Sequence, residues 1–265
     1  MMPMSYEPVD VIRREAARFA HVLRDVPDAA VVPSCPGWTA ADLLWHLTEV
    51  HLFWGAVVGS GATTDEQVEA IEHAKPVRPA DRTAALALRS RATEGLLSAL
   101  RSTFPDAPAW SWFEADQTVG FTLRMQTHEA TIHRVDAELT AGLPVSPIAD
   151  DIAVAGLDHV IDVMWAWVPG GVEAIPVGVV EFRPAGAEPR LVELYRWTGD
   201  AWGERYVNQI AARRADADAR PARAVVAGEP GQLDLLVWGR PADVDRSGDV
   251  ELLADFAELI AFGLP

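Results

Sequence analysis

The spacing of apolar residues, which recur every three or four positions up to about residue 167, most constrains the fold of this chain. Such spacing is typical of amphipathic helices that bury one face. Thr39, with Asp42 three residues later, has the pattern of a helix N-cap, and the preceding loop contains Pro33 and Pro36, which prevent helix. The pattern predicts a short helix at 64–73 and longer helices at 8–26, 40–59, 81–103, 120–141 and 148–167.

The pattern changes after the predicted turn at Pro169-Gly170-Gly171. The segment LDLLVWG fits a short buried helix, and Asp249 is placed to cap a last helix that ends near Phe262. A turn is predicted at Thr198-Gly199-Asp200. Three segments have the composition of strands: 177–182, 191–197 and 222–226.

These segments predict an α+β protein with two domains. A helical domain should occupy residues 1–170, and a smaller α+β domain with an antiparallel sheet should occupy residues 171–265. The formal net charge of −17 makes nucleic acid an unfavourable partner, because phosphate is held by clustered Lys and Arg. The N-terminus lacks signal-peptide features, no apolar run is long enough to span a membrane, and a single cysteine fits a reducing compartment. We therefore expect a cytoplasmic protein.

Three residues are candidate metal ligands. Glu129 and His133 are four apart on a predicted helix, so their side chains share one face. His46 lies in the apolar stripe of another predicted helix and could supply a third ligand. Three protein ligands with an open position are the arrangement of a catalytic zinc, although nickel accepts the same ligand types. A Glu–His hydrogen bond without metal is the alternative.

Periodicity alone does not decide which histidine of the later helix faces inward. His128 lies in the apolar stripe, whereas Glu129 and His133 lie at its margin. His128 and His133 are about 140° apart around the helix and cannot easily share one ion. His51 is separated from His46 by the same angle, so it is not expected to bind the same ion. Cys35, in the loop before the second long helix, is interpreted as a structural thiol.

Arg240 is the candidate anion-binding residue of the second domain. It follows the apolar segment LDLLVWG, which should anchor it, and a guanidinium in a cleft between domains could clamp a carboxylate. The alternative is a surface salt bridge with Asp243 or Asp245.

Four strings taken together resemble the mycothiol-dependent maleylpyruvate isomerase family, within the DinB-like group of metal-binding four-helix proteins. They are, in chain order, CPGWTAADLLWHL, HEATIHRVDAE, DLLVWGR and SGD. The resemblance implies a DinB-like bundle of four main helices followed by a small α+β domain. It also implies that His46, Glu129 and His133 are the metal ligands. His128 then stands beside them, and we treat it with Arg240 as a candidate catalytic residue. Mycothiol is made by actinobacteria, which agrees with a chain whose only lysine is Lys75.

The implied function is that of an enzyme that uses zinc and mycothiol on a small electrophile. A thiolate that adds to an electron-poor double bond and leaves again gives isomerisation, and one that stays attached gives S-transfer. Arg240 would bind the anionic thiol cofactor or substrate. Two alternatives remain at this point: a metal-binding regulatory or stress protein without turnover, and a thiol-independent metal hydrolase.

Overall fold

The computed structural model describes residues 5–168, 170, 172–201, 203–216 and 220–264. Two compact units divide the chain, Met1–Ser146 and Pro147–Pro265. This division falls earlier than the predicted boundary near residue 170, because the helix after residue 149 packs against a helix of the C-terminal unit. The predicted turn at Pro169-Gly170-Gly171 lies partly outside the described residues.

The N-terminal unit is a helical bundle, as predicted. Its helices are α1 (Pro8–Leu23), α2 (Ala40–Ser60), the short α3 (Asp65–Ala74), α4 (Arg82–Ser102) and α5 (Val119–Thr140). The four long helices pack as α2 against α4 and α1 against α5, with further contacts of α1 with α4 and of α2 with α5. Within the described residues, no helix of the protein is long and apolar enough to cross a membrane.

Side-chain caps fix where the two helices that carry the candidate ligands begin. The Thr39 hydroxyl accepts a hydrogen bond from the Asp42 N–H, and the Asp42 carboxylate accepts one from the Thr39 N–H at 2.9 Å. This is the predicted capping box, and it satisfies backbone donors that the helix leaves unpaired. Thr118 caps α5 in a similar way through the Phe121 N–H.

Helix α5 is buried on nearly all sides, and its charged residues Glu129, Arg134, Asp136 and Glu138 are buried with it. The Arg134 guanidinium donates to Glu15 of α1 at 2.8 Å and to Glu138 at 2.9 Å. Glu138 also accepts from Arg18 of α1 and from the Ser146 N–H, each at 2.8 Å. Each buried charge of this network has a partner. The network therefore holds α1 and the segment around Ser146 against α5.

The C-terminal unit is an α+β domain, also as predicted. Its strands are β1 (Glu173–Pro184), β2 (Arg190–Ala201), β3 (Glu204–Arg214), β4 (Ala224–Gly228) and β5 (Asp245–Gly248). They form one sheet in the order β3-β2-β1-β4-β5, in which β1 and β4 are parallel and the other neighbouring pairs are antiparallel. The helices are α6 (Asp150–His159), which continues as a π-helical turn through Met164, α7 (Pro230–Val237) and α8 (Val250–Phe262).

Several details of this unit differ from the sequence prediction. The predicted turn at Thr198-Gly199-Asp200 is wrong, because these residues belong to β2. Gly199 and Asp200 pair with β3 after a register shift, and Thr198 pairs with β1. The sheet is mixed rather than purely antiparallel. After the β2–β3 hairpin the chain returns to the other edge of β1, and β4 pairs with β1 in parallel there. Neither β3 nor β5 was predicted. The predicted cap of α8 is confirmed, because the Asp249 carboxylate accepts from the N–H groups of Glu251 and Leu252.

We predict that Glu138→Ala lowers the free energy of unfolding by about 3 kcal/mol, because it leaves Arg134 buried with half of its charge partners removed. Urea denaturation followed by circular dichroism would measure the change. The matched control is Asp10→Ala, which breaks the exposed ion pair with Arg13 and should cost less than about 1 kcal/mol. Equal losses in the two variants would contradict a stabilising role for the buried network.

Candidate metal centre

Three side chains from two helices converge on one point in the N-terminal unit. The Nε2 atom of His46 in α2 lies 2.9 Å from Oε1 of Glu129, and Nε2 of His133 lies 3.1 Å from the same oxygen. The ligand atoms of the three residues all lie within 4.8 Å of one another. Two imidazole nitrogens and a carboxylate oxygen are the donors that zinc takes in three-ligand catalytic sites, so the residues fit such an ion.

The side chains of this trio are not equally buried. Those of Glu129 and His133 are 11% and 9% exposed, whereas that of His46 is 32% exposed. The cluster therefore reaches solvent on the side of His46. A ligand that enters from solvent would meet His46 before the other two residues.

The electrostatics of the trio are those of a carboxylate shared between imidazoles. Burial opposes ionisation of Glu129, but the charge of His133 and hydrogen bonds from both histidines hold its pKa well below the usual value. Burial likewise opposes the charged form of His133, yet Glu129 and Asp136 raise its pKa to about 9. A proton shared with two carboxylates thus occupies the place that a bound cation would take.

Asp136 contacts Nδ1 of His133, on the side of the ring away from Glu129. This residue was not singled out from the sequence. Its Oδ2 lies 2.8 Å from His133 Nδ1, and its side chain is fully buried. The carboxylate is fixed in turn by the hydroxyl of Ser34 at 2.5 Å and the thiol of Cys35 at 3.6 Å. Such a carboxylate fixes the tautomer of an imidazole and leaves Nε2 free to bind a metal. Its position three residues after His133 was the signal available in the sequence.

Cys35, His133 and Asp136 also lie close enough together to form a second candidate ligand set. The two sets share His133, which faces Glu129 through Nε2 and Asp136 through Nδ1. Because Asp136 already accepts hydrogen bonds from Ser34 and Cys35, we assign it to supporting His133. The structural role of Cys35 that the sequence indicated remains a prediction.

The other histidines of these helices lie outside the converging set. His128 is 1% exposed, and burial together with the charge of Arg124 lowers its pKa to about 3. His51 is fully buried, and burial lowers its pKa well below the usual value. Both rings are therefore neutral groups of the bundle interior. A catalytic role for His128 remains a prediction.

Arg240 belongs to the C-terminal unit, directly after α7. The backbone there forms a Schellman motif, in which the Arg240 N–H donates to Leu235 and the Gly239 N–H donates to Leu236. Gly239 has a φ of +75°, which favours glycine. The guanidinium donates to the carbonyl of Trp238. This local structure fixes the start of the Arg240 side chain, and its role in binding an anion remains a prediction.

A cavity of about 250 Å³ in the N-terminal unit does not include the candidate ligands. It lies on the side of α2 that carries Trp45 and Thr48, between that helix and the residues around Arg78 and Arg82. Its arginines are paired with nearby aspartates. The converging donors, and not this cavity, therefore define the candidate site.

Taken together, these observations define a class of protein: a helical bundle with a three-residue His/Glu cluster, followed by an α+β unit. Residues 10–138 match the family model of the mycothiol maleylpyruvate isomerase N-terminal domain. The N-terminal unit therefore matches the N-terminal domain of the mycothiol-dependent maleylpyruvate isomerase family, and the resemblance inferred from the sequence motifs is confirmed.

Two solved structures share the fold over almost their whole length. One is the crystal structure of the mycothiol-dependent maleylpyruvate isomerase, and the other is that of a histidine-to-alanine mutant of it. Each has a TM-score of 0.58 and 17% sequence identity, and each match covers 94% of this chain and 95% of the solved one. At this identity the likeness establishes the fold, namely the bundle followed by the α+β unit. No curated protein matches the sequence significantly.

We predict that Glu129→Gln and His133→Ala reduce the bound zinc of purified protein to a small fraction of the wild-type content. His128→Ala should keep its zinc, because this histidine lies outside the converging set, although the cavity it leaves should lower the melting temperature. Metal analysis after dialysis against a fixed zinc buffer would measure the content. Equal metal loss in all three variants would show that the ligand assignment is wrong.

We also predict that zinc binding releases about one proton per ion near pH 7. The pKa of His133 is raised to about 9, so the imidazole is protonated below that pH and the proton must leave when the ion binds. The apparent zinc affinity should therefore increase as the pH rises towards about 9 and then level off. Calorimetry in buffers of different ionisation enthalpy counts the protons. A pH-independent affinity between about pH 6 and 9 would contradict this assignment.

Proposed function

We propose that this protein is a metal- and mycothiol-dependent enzyme that acts on a small electrophile, by isomerisation or S-transfer. The observation that carries the proposal is the convergence of His46, Glu129 and His133 within 4.8 Å of one another, in a unit that matches the N-terminal domain model of this family. Zinc is the metal that the ligand set fits first. Bound there, it would supply the Lewis acidity that favours the thiolate form of a small thiol.

The residues of the chain divide the work in this proposal. Glu129 contributes the single negative charge of the trio, and Asp136 holds His133 so that Nε2 points at Glu129. The exposure of His46 leaves that side of the cluster accessible to an external thiol. An external thiol is required because the chain has one cysteine, and that cysteine donates to Asp136.

The same observations bear on the substrate and on the other candidate functions. The solved structure that shares this fold is that of a mycothiol-dependent maleylpyruvate isomerase, which makes maleylpyruvate the first substrate to assay here. A regulatory protein would need the metal without a thiol, and a hydrolase would use a bound water instead. Neither alternative accounts for the family match as directly.

Calorimetry with mycothiol is the decisive experiment. The zinc-loaded wild-type protein should bind mycothiol, and both the zinc-free protein and Glu129→Gln should bind it at least about tenfold more weakly. A zinc-loaded protein that fails to bind mycothiol would favour the hydrolase or the regulatory function. Binding without conversion of maleylpyruvate would leave a different electrophile as substrate.

For Arg240 we predict that replacement by Ala weakens mycothiol binding, or lowers kcat/KM, by about ten- to a hundredfold. This corresponds to the loss of one charge-assisted hydrogen-bonded contact, about 1.5–3 kcal/mol. Arg240→Lys should recover part of the lost affinity or activity, since lysine keeps the positive charge but cannot donate the paired hydrogen bonds of a guanidinium. The matched control is Arg246→Ala, which removes an exposed arginine of the same unit. If Arg240→Ala behaves like Arg246→Ala, Arg240 is a surface residue.

A further inference from the structure

The two histidines of the trio differ in what holds their rings. A metal-binding imidazole uses one nitrogen for the ion, and its other nitrogen is usually fixed by a carboxylate or a carbonyl. His133 follows this rule, because Asp136 lies 2.8 Å from its Nδ1. In the described part of the chain, the only hydrogen bond of the His46 ring is that of Nε2 with Glu129. Its Nδ1 is therefore not what orients the ring.

The contacts that do restrain the His46 ring are aromatic. The ring centroid of Trp38 lies 4.7 Å from that of His46, with the planes tilted by 52°. His133 packs on His46 edge to face, also at 4.7 Å between centroids. Trp38 also reaches His133, at 6.2 Å and nearly parallel. The indole therefore packs against the imidazole of each candidate ligand and most closely against His46, whose side chain is the most exposed of the trio.

Trp38 is itself held in place by the backbone around it. Its carbonyl accepts from the Val32 N–H and its N–H donates to the Cys35 carbonyl, each at 3.0 Å. The next residue, Thr39, is the N-cap of α2, so the backbone of Trp38 is fixed relative to the first turn of the helix that carries His46, and its side chain packs against the hydrophobic core of the bundle. A side chain fixed in this way can restrain a ring on the same helix.

We propose that Trp38 is the positioning residue of His46, and that its indole does for this ligand what Asp136 does for His133. The proposal rests on the metal centre of the proposed function and concerns how one of its ligands is aimed. An aromatic contact restrains the direction of the ring without withdrawing or adding charge. Nδ1 of His46 consequently stays available to solvent or to an incoming ligand.

The test is the zinc affinity of the full-length protein, measured by competition with a chromophoric chelator and without any thiol. Trp38→Leu should weaken zinc binding by about ten- to a hundredfold, the range found when groups that orient metal ligands are removed. Trp38→Phe, which keeps an aromatic face, should stay within about threefold of wild type. Trp45→Leu is the matched control, because Trp45 is a half-buried tryptophan of α2 that lines the separate cavity. It should not change zinc affinity.

A double-mutant cycle separates positioning from general destabilisation. Trp38→Leu should cause little further loss in a His46→Ala background if Trp38 acts through His46. Cu²⁺, which binds such donors more tightly than zinc, makes the residual affinity measurable. If the leucine variant does not fold, Trp38→Met takes its place. Unchanged zinc affinity in Trp38→Leu, or equal losses in both backgrounds, would overturn the proposal. Failure of the wild type to bind zinc would instead refute the metal centre itself.

Discussion

The burial of α5 is the constraint on which the rest of the N-terminal unit depends. In a helix that is covered on nearly all sides, each buried charge needs a charged or hydrogen-bonding partner, because an unpaired buried charge costs several kcal/mol. The helix solves this in two ways. Near its C-terminal end, Arg134 and Glu138 are matched by residues of α1 and by the Ser146 N–H. Earlier in the same helix, the partners of Glu129 among the described residues are the imidazoles of His46 and His133.

The difference between these two clusters separates structure from chemistry. A guanidinium cannot give up its proton at any ordinary pH, so the pairing of Arg134 with Glu138 is permanent. An imidazole can exchange its proton for a metal ion, so the pairing of Glu129 with His46 and His133 is replaceable. The raised pKa of His133 means that a cation must displace a proton that Glu129 and Asp136 hold on this ring. The bundle is therefore stabilised at one end of α5 and left able to bind at the adjacent turn.

The sequence predicted the helices of the bundle and the caps of α2 and α8, because periodicity and capping are local signals. It could not choose between His128 and Glu129, since a helix buried all round has no single inward face and both residues are buried. The family resemblance supplied that choice. In the C-terminal unit, β3 carries too many polar residues and β5 is entirely exposed, so neither shows strand periodicity. The sequence indicated Trp38 only as a core or loop-anchoring aromatic and did not single out Asp136, because the contacts of these residues with His46 and His133 are tertiary.

The motifs near the C-terminus show how far a resemblance can be converted into chemistry. In SGD, Gly248 has a φ of +104°, a Cβ there would overlap the Arg223 carbonyl, and Asp249 caps α8. In WGR, Gly239 closes the Schellman motif of α7. These residues are thus accounted for by backbone geometry alone. Arg240 is different, because the Schellman motif uses only its backbone N–H, whereas its guanidinium donates to the Trp238 carbonyl and is not required by the motif. A local cation would help a protein with a net charge of −17 to hold an anionic cofactor or substrate, and this is the physical reason for testing Arg240 first.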